Sequence, residues 1–114
     1  MAKIVGFEMN SQQPEKAIEF YKNVFGWKVS EPNYDYWPVD TGLESNINGG
    51  ISLGPADFPH GTRIQIEVDS IEEVIKQSCN AGAKILRDKM EFEEFYLAYL
   101  IDPVGISFGL IEYK

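Results

Sequence analysis

Hydrophobic and polar residues alternate along "KIVGFEM" (3–9), a pattern that predicts a β-strand. The next segment, "QQPEKAIEFYKNVFGW", has Pro14 where a first helical turn accepts it and Gly26 where a helix would end, so we expect an α-helix between them. The apolar stripe of this helix should pack on the back of a sheet and comprises Ala17, Ile18, Tyr21, Val24 and Phe25. Further strands are expected at "WKVSE", "YDYWPVDTG" and "INGGISLG", the last with paired glycines that indicate a bulge or a close approach of backbone.

The same order of elements begins again after a loop rich in proline and glycine at 55–62. A strand "RIQIEVD" leads into a helix whose start carries a capping-box signature, Ser70 followed by Glu73, and which should end at Gly82. The buried stripe of this helix is predicted to contain Ile71, Val74, Ile75, Ser78 and Cys79. Strands at "AKILRD", "FYLAYLID" and "ISFGLIEY" complete the set, the last two joined by the turn sequence "DPVG".

An offset of 57 residues superimposes the two halves, placing Gly6 on Arg63 and Ile18 on Ile75. The order strand, helix, strand, strand, strand therefore occurs twice, which predicts an α+β fold built from two βαβββ modules. We expect a single domain over residues 1–114, with module one at about 1–54, a connecting loop at 55–62 and module two at about 63–114.

Composition narrows the class of protein. The 114 residues are 44% hydrophobic and carry a formal charge of -8, which supports a folded interior and argues against nucleic acid as a partner. The sequence has neither a secretory signal nor a run of about 18 apolar residues, so we expect a soluble cytoplasmic protein that does not enter a membrane. The single cysteine, Cys79, is consistent with a reducing compartment and is expected to act as a small buried hydrophobe.

Several separated segments carry a resemblance to a known family. "PEKAIEFYKNVFGWKV", "DYWPVDTG", "INGGI", "IEVDSIEEVIKQSCNAGAKIL" and "DPVGISFGLIE" resemble the vicinal oxygen chelate superfamily, which includes glyoxalase I, extradiol dioxygenases and bleomycin-resistance proteins. The likeness is nearest to the short glyoxalase-like members. It implies that the two modules form a cupped, incomplete mixed β-barrel with the helices outside. Family members often complete their cups as homodimers, so the resemblance also implies a homodimer.

Enzymes of this family hold a divalent metal through histidine and glutamate on the first and fourth strands of each module. In this sequence the two first-strand positions fall on Gly6 and Arg63, and the last-strand position of module two falls on Gly109. The module-one counterpart lies within Gly50 to Ser52. Because glycine has no side-chain donor and a guanidinium repels a cation, we predict no metal site and no cofactor. The only histidine, His60, lies in the connecting loop, where a surface role is expected.

Other side chains remain candidates for binding in the cup. Strand alternation places Gly6 and Glu8 on one face of the first strand, and Arg63, Gln65 and Glu67 on the equivalent face of module two. Glu8 is the candidate catalytic base, and Arg63 suits a carboxylate or a phosphate. The alternative is that the two charges form an internal salt bridge or lie at the rim facing solvent. Aromatic residues on the strands expected to bound the cup are Tyr34, Tyr36 and Trp37 in module one and Phe95, Tyr96 and Tyr99 in module two. The predicted ligand-binding set is Glu8, Tyr36, Trp37, Arg63, Gln65, Glu67, Tyr96 and Tyr99.

Three functions follow as hypotheses. The first is a homodimeric glyoxalase-like protein that binds a small organic molecule in its β-cup without the family metal, as resistance-type members sequester a drug without chemistry. The second is an enzyme, either a lyase or isomerase that uses Glu8 as base or an atypical metal site, or a dioxygenase-like protein. The third is a structural or interaction module whose cup is filled by its own aromatic residues.

Overall fold

The computed structural model describes residues 2–42 and 47–114. Within these ranges the chain forms eight strands and two helices in the order β1 (Lys3–Asn10), α1 (Pro14–Phe25), β2 (Lys28–Val29), β3 (Tyr36–Asp40), β4 (Asn48–Ser52), β5 (Gly61–Glu67), α2 (Ile71–Asn80), β6 (Lys84–Glu91), β7 (Phe95–Ile101) and β8 (Ser107–Tyr113). The predicted α+β fold of two βαβββ modules is confirmed. Among the described residues, no helix is long and apolar enough to cross a membrane.

The chain divides into two compact units, one formed by Gly6–Thr62 and the other by Arg63–Lys114 together with residues 2–5. In module one, with β1 to β4 and α1, the strand order is β2-β3-β4-β1, and β1 runs parallel to β4 while the other neighbours are antiparallel. In module two, with β5 to β8 and α2, the order is β6-β7-β8-β5, and β5 runs parallel to β8. Each module is thus a four-stranded mixed sheet of the same topology.

One face of each sheet is apolar and packs against the helix of its module. In module two a buried cluster joins the helix residue Ile71 to Val68, which directly follows β5, and to the strand residues Ala98, Leu100 and Leu110. Helix α2 begins as its sequence predicts, since Ser70 Oγ accepts a hydrogen bond from Glu73 N at 3.2 Å. We call the opposite face of each sheet the polar face, because the buried charged residues lie there.

Helix α1 also ends where the sequence predicts. Gly26 adopts a left-handed conformation, with φ of 71°, and its N–H donates to the carbonyl of Lys22 at 3.0 Å. The stripe predicted for this helix is only partly correct. Ala17, Ile18 and Tyr21 are half-buried, but Val24 and Phe25 are 57% and 60% exposed. Val24 lies about 120° around the helix from Ile18, at the margin of the stripe.

Two further expectations were wrong, namely the burial of Cys79 and the place of Tyr34 on a strand. Cys79 is exposed, because it lies eight residues after Ile71 and therefore about 80° around the last turns of α2 from the buried side chain. Tyr34 is 97% exposed and has a positive φ of 54°, since it belongs to the turn that precedes β3 and not to the strand itself. Neither residue contributes to the core.

Candidate functional site

The polar face of module one is centred on Glu8. Alternation along β1 buries Gly6, Glu8 and Asn10, and Glu8 retains only 8% of its exposed surface. Glu8 is paired in register with Gly50 of the neighbouring strand β4. The ring of Tyr36, which comes from β3, covers Gly50, because any side chain at position 50 would overlap its Cζ, Cε2 and Oη atoms. The missing side chain of Gly50 therefore makes room for a tyrosine beside the carboxylate.

Electrostatics keep the phenol of Tyr36 protonated. Burial in the module, and secondly the negative charge of Glu8, raise the pKa of Tyr36 to about 12. At neutral pH this hydroxyl is consequently a hydrogen-bond donor next to an acceptor carboxylate. The pair presents one donor and one acceptor on the same patch of sheet.

Asn10 extends the polar face by one more position along β1. It is only 3% exposed, and its Nδ2 donates to the carbonyl of Pro59 at 3.2 Å. Its Oδ1 is packed against Gly54, is buried and accepts no hydrogen bond from the described residues. A buried amide oxygen of this kind is a position where a donor from a ligand or a water is favourable.

The polar face of module two is built around Arg63. This arginine is 4% exposed, and its Cζ lies 5.4 Å from the centre of the Tyr99 ring, within the range of a cation–π interaction. Gln65 and Glu67, half-buried, follow on the same side of β5. Gly109 of β8 is paired in register with both Gln65 and Tyr99, so that the three residues form one row across three strands.

The two modules repeat this arrangement. Glu8 pairs with Gly50 on the parallel neighbour of β1, as Gln65 pairs with Gly109 on the parallel neighbour of β5. The register thus makes Gly50 the counterpart of Gly109. Each module combines a buried charged residue on its first strand, a glycine on its last strand and a tyrosine on its third strand.

A family model described as glyoxalase-like domain matches residues 6–111, which is nearly the whole chain. The chain belongs to the glyoxalase-like domain family. This result agrees with the resemblance to the vicinal oxygen chelate superfamily drawn from the sequence. No curated protein sequence matches the chain.

Several solved structures have a similar fold. A glyoxalase/bleomycin resistance protein/dioxygenase superfamily member from Vibrio splendidus is 13% identical, with a TM-score of 0.66, and the match covers 100% of both chains. A methylmalonyl-CoA epimerase from Streptomyces coelicolor is 15% identical, with a TM-score of 0.63 over 97% of this chain and 94% of that one. A protein from Legionella pneumophila described as an NAD-dependent benzaldehyde dehydrogenase is 18% identical, with a TM-score of 0.68 over 96% and 98%. At these identities the likeness concerns the fold alone.

The residues of this glyoxalase-like domain do not fit the divalent metal that the family implies. Its four ligand positions are occupied by Gly6, Gly50, Arg63 and Gly109, of which three have no donor atom and one has a permanent positive charge. Among the described residues there is also no group of three or more His, Cys, Asp or Glu side chains that could hold a metal ion. His60 lies exposed in the connecting loop.

Not all of the predicted binding residues share a polar face in this glyoxalase-like domain. Trp37 follows Tyr36 directly and so points to the opposite side of β3, where it lines an open groove of about 300 Å³ with Ile18 and Lys22 of α1. Tyr96 packs against the buried cluster beneath α2, on the side of β7 opposite to Tyr99. The structure therefore places Tyr36 and Tyr99 with the buried charges, and places Trp37 and Tyr96 with the helices.

One residue of the polar face, Asn10, was not among those predicted from the sequence. Asn10 continues the alternation of Gly6 and Glu8, a signal that was present in the sequence. The paired glycines indicated a close approach of backbone. At Gly49 the approaching group is the backbone carbonyl of Phe7, and at Gly50 it is the ring of Tyr36.

Proposed function

We propose that this glyoxalase-like domain binds a small organic molecule on the polar face of module one, without the metal of its family. The observation that supports this function best is the Tyr36 ring lying over Gly50 beside the buried carboxylate of Glu8. Glyoxalase-like folds use this face of the sheet for ligands, and a buried carboxylate beside a phenol offers a ligand both an acceptor and a donor.

The chemistry of the face defines the ligand class. Glu8 accepts hydrogen bonds or pairs with a cation, the Tyr36 hydroxyl donates, and the Asn10 Oδ1 accepts. The π-face of the Tyr36 ring favours a ligand that carries a flat or cationic group. The formal charge of -8 also raises the local concentration of cations. We therefore expect small aromatic amines to bind to module one.

Module two supplies a different preference. Arg63 under the Tyr99 ring offers a planar, permanently charged fork, which suits the carboxylate of a ligand. Gln65, beside Gly109, adds an amide that can donate or accept. We expect small aromatic acids to bind here.

Benzylamine and benzoate, which have the same size and opposite charge, form a matched pair of probes for thermal-shift and calorimetric titration. A ligand that prefers the native state raises the melting temperature, by an amount equivalent to about 2.7 kcal/mol at 100 times its Kd. Glu8→Gln should weaken benzylamine at least about tenfold, because it replaces an ionic hydrogen bond with a neutral one. Arg63→Lys should weaken benzoate similarly because the bidentate fork is lost.

The outcome that contradicts the proposal is equally direct. If neither probe shifts the melting temperature of the wild-type protein at 10 mM, or if both variants bind as the wild type does, the polar faces do not bind these classes and the interaction-module hypothesis gains support. About one equivalent of metal found by elemental analysis after purification without chelator would overturn the metal-free part.

A second function, an isomerase or lyase, is favoured by the pairing of a base with an acid. Glu8 would remove the proton from a carbon next to a carbonyl, and the Tyr36 hydroxyl would donate a hydrogen bond to the enolate oxygen that forms. The protonated Glu8 would exchange its proton with solvent, and return of a proton to the opposite face of the same carbon would invert that carbon with no net change in atoms. Methylmalonyl-CoA epimerase, the Streptomyces coelicolor protein of similar fold, suggests methylmalonyl-CoA as the probe.

This reaction can be tested by NMR in D2O. Exchange of the α-proton of methylmalonyl-CoA for deuterium, abolished by Glu8→Gln and slowed by Tyr36→Phe, supports the enzymatic function. Exchange at the same rate in the Glu8→Gln protein contradicts it, because a base other than Glu8 would then remove the proton.

A further inference from the structure

A second arginine belongs to the polar face of module two. Arg87 of β6 is the cross-strand partner of Tyr99 on β7, and partners in register project their side chains to the same face of a sheet. A period of two would instead group Arg87 with Lys89, whose Nζ lies on the helix side, 4.2 Å from the centre of the Tyr96 ring. The register shifts between Arg87 and Met90, and such a bulge redirects the side chains of its strand. The bulge therefore places Arg87 with Tyr99.

Tyr99 thus has an arginine on the strands to either side of it. Arg63 of β5 approaches from one side, with its Cζ 5.4 Å from the centre of the Tyr99 ring. Strand β8 lies between β5 and β7, but at the register of Tyr99 it carries Gly109, which has no side chain to separate the two. Arg87 stands on the other side, on the adjacent strand β6. The row therefore combines two guanidinium groups with one aromatic ring.

Both guanidinium groups are withdrawn from solvent. Arg63 is 4% exposed, and Arg87 is half-buried, with its Nη1 donating to the carbonyl of Leu86 at 2.8 Å. Like charges repel more strongly away from water, and an anion bound near both of them offsets that repulsion.

The charges of this face differ in sign from those of the chain as a whole. The residues that alternation and register place on it include three basic ones and one acidic one, namely Arg63, Lys84, Arg87 and Glu67. Glu67 lies four residues from Arg63, about 13 Å along β5. In a chain with a formal charge of -8, a face with more basic than acidic residues is a local exception that attracts anions.

We propose that the polar face of module two binds aromatic ligands that carry two anionic groups, with Arg63 holding one group and Arg87 the other. The inference rests on the proposed function of module two, in which Arg63 binds the carboxylate of a small aromatic acid, and it adds a second recognition residue. Each guanidinium fork matches a carboxylate with two parallel N–H bonds. The Tyr99 ring on the strand between gives the ring of the ligand an aromatic neighbour.

Isophthalate and 3-carbamoylbenzoate test the second anionic group. The two molecules have the same shape, but a neutral amide replaces one carboxylate in 3-carbamoylbenzoate. Calorimetric titration of the wild-type protein should give a Kd for isophthalate about tenfold lower than for 3-carbamoylbenzoate. Arg87→Gln should reduce this ratio to about one, because the glutamine cannot form a charged fork. The preference of the wild type should also decrease as the salt concentration rises.

Two further variants control for charge and for folding. Lys76→Gln removes one positive charge from the exposed side of α2, outside this face, and should leave the preference for isophthalate unchanged. Arg87→Lys keeps the charge at the half-buried position but loses the planar fork, so its preference should lie between those of the wild type and Arg87→Gln. Circular dichroism should show the native fold in all three variants.

The outcomes separate this inference from the function on which it rests. Benzoate binding without a preference of the wild type for isophthalate over 3-carbamoylbenzoate overturns the inference and leaves the proposed function standing. The same preference in Arg87→Gln as in the wild type also overturns it, because another group would then hold the second carboxylate. If neither benzoate nor isophthalate binds, the proposed function of module two fails together with the inference.

Discussion

Tyr36 lies over Gly50, so that its ring occupies the space into which a side chain at position 50 would project. Gly50 is also the counterpart of Gly109, at the strand position where the family places a metal ligand. In module one, the glycine that stands at the metal-ligand position is therefore also the residue that makes room for the buried phenol of Tyr36. This relationship explains how Glu8 acquires a hydrogen-bond donor as its neighbour in place of a metal ion.

Gly50→Ala should consequently destabilise the protein. The added methyl group must displace the Tyr36 ring, and overpacking of this kind typically costs about 1–3 kcal/mol. Urea denaturation of the single variants and of Gly50→Ala/Tyr36→Ala measures the coupling. We expect the double variant to be more stable than the sum of the single effects predicts. Additive effects would show that the ring and the glycine do not contact each other.

The ionisation of Tyr36 should be displaced from that of an ordinary tyrosine. Its pKa is raised to about 12, so in a spectrophotometric titration at 295 nm one of the six tyrosines should ionise about two pH units late. Because burial is the larger cause, Glu8→Gln should lower this pKa only in part. A Tyr36→Phe protein should lack the late step, and a wild-type curve without it would contradict the buried phenol.

The same shift predicts how stability depends on alkaline pH. The folded pKa lies above the unfolded value of about 10, so the neutral phenol stabilises the native state fully below pH 10. This contribution is lost as the pH rises from about 10 to about 12, where the unfolded chain ionises first. The unfolding midpoint of the wild type should fall more steeply over this window than that of Tyr36→Phe. Parallel curves would contradict the assignment.

The local signals in the sequence predicted the elements well. Pro14 and Gly26 mark the start and end of α1, and Ser70 caps α2. These signals act over a few residues and depend on backbone geometry alone. The repeated order of elements then implied two equivalent modules, because each amphipathic helix needs a sheet face to cover.

The contacts of the candidate site join residues that are far apart in the sequence, so the sequence predicted them less well. Tyr36 reaches Gly50 and Glu8 only through the register of β3, β4 and β1, and Arg63 reaches Tyr99 only through that of β5, β8 and β7. Grouping Tyr36 with Trp37, and Tyr96 with Tyr99, overlooked the period of two along a strand, which places the members of each pair on opposite faces. At the ends and margins of helices the stripe rule also fails, as Phe25 and Cys79 show.

Exposure of Cys79 can be checked by its reactivity. The thiol should react with a chromogenic aromatic disulfide in the native protein at a rate close to that in 8 M urea, because no unfolding is needed to reach it. A buried thiol would react many times more slowly in the native state. Such protection would contradict the exposed position at the last turn of α2.

The start of α2 combines a local cap with a distant one. Ser70 Oγ accepts from Glu73 N at 3.2 Å, and Oε1 of Glu112 accepts from Ile71 N at 2.8 Å, although Glu112 lies on β8, 41 residues away. Ser70→Ala should cost about 1 kcal/mol of unfolding free energy. Glu112→Leu, which removes the acceptor from a half-buried N–H, should cost about 1–2 kcal/mol.

Glu112→Gln serves as the matched variant because it keeps an oxygen acceptor and loses the charge that faces the positive end of the helix. Its loss should be smaller, about 0.5 kcal/mol, and should diminish at high salt. The urea midpoints of Ser70→Ala, Glu112→Leu and Glu112→Gln rank the three losses of stability. Equal stability of Glu112→Leu and the wild type would show that the distant cap contributes nothing, and that the capping-box residue Ser70 alone sets the start of the helix.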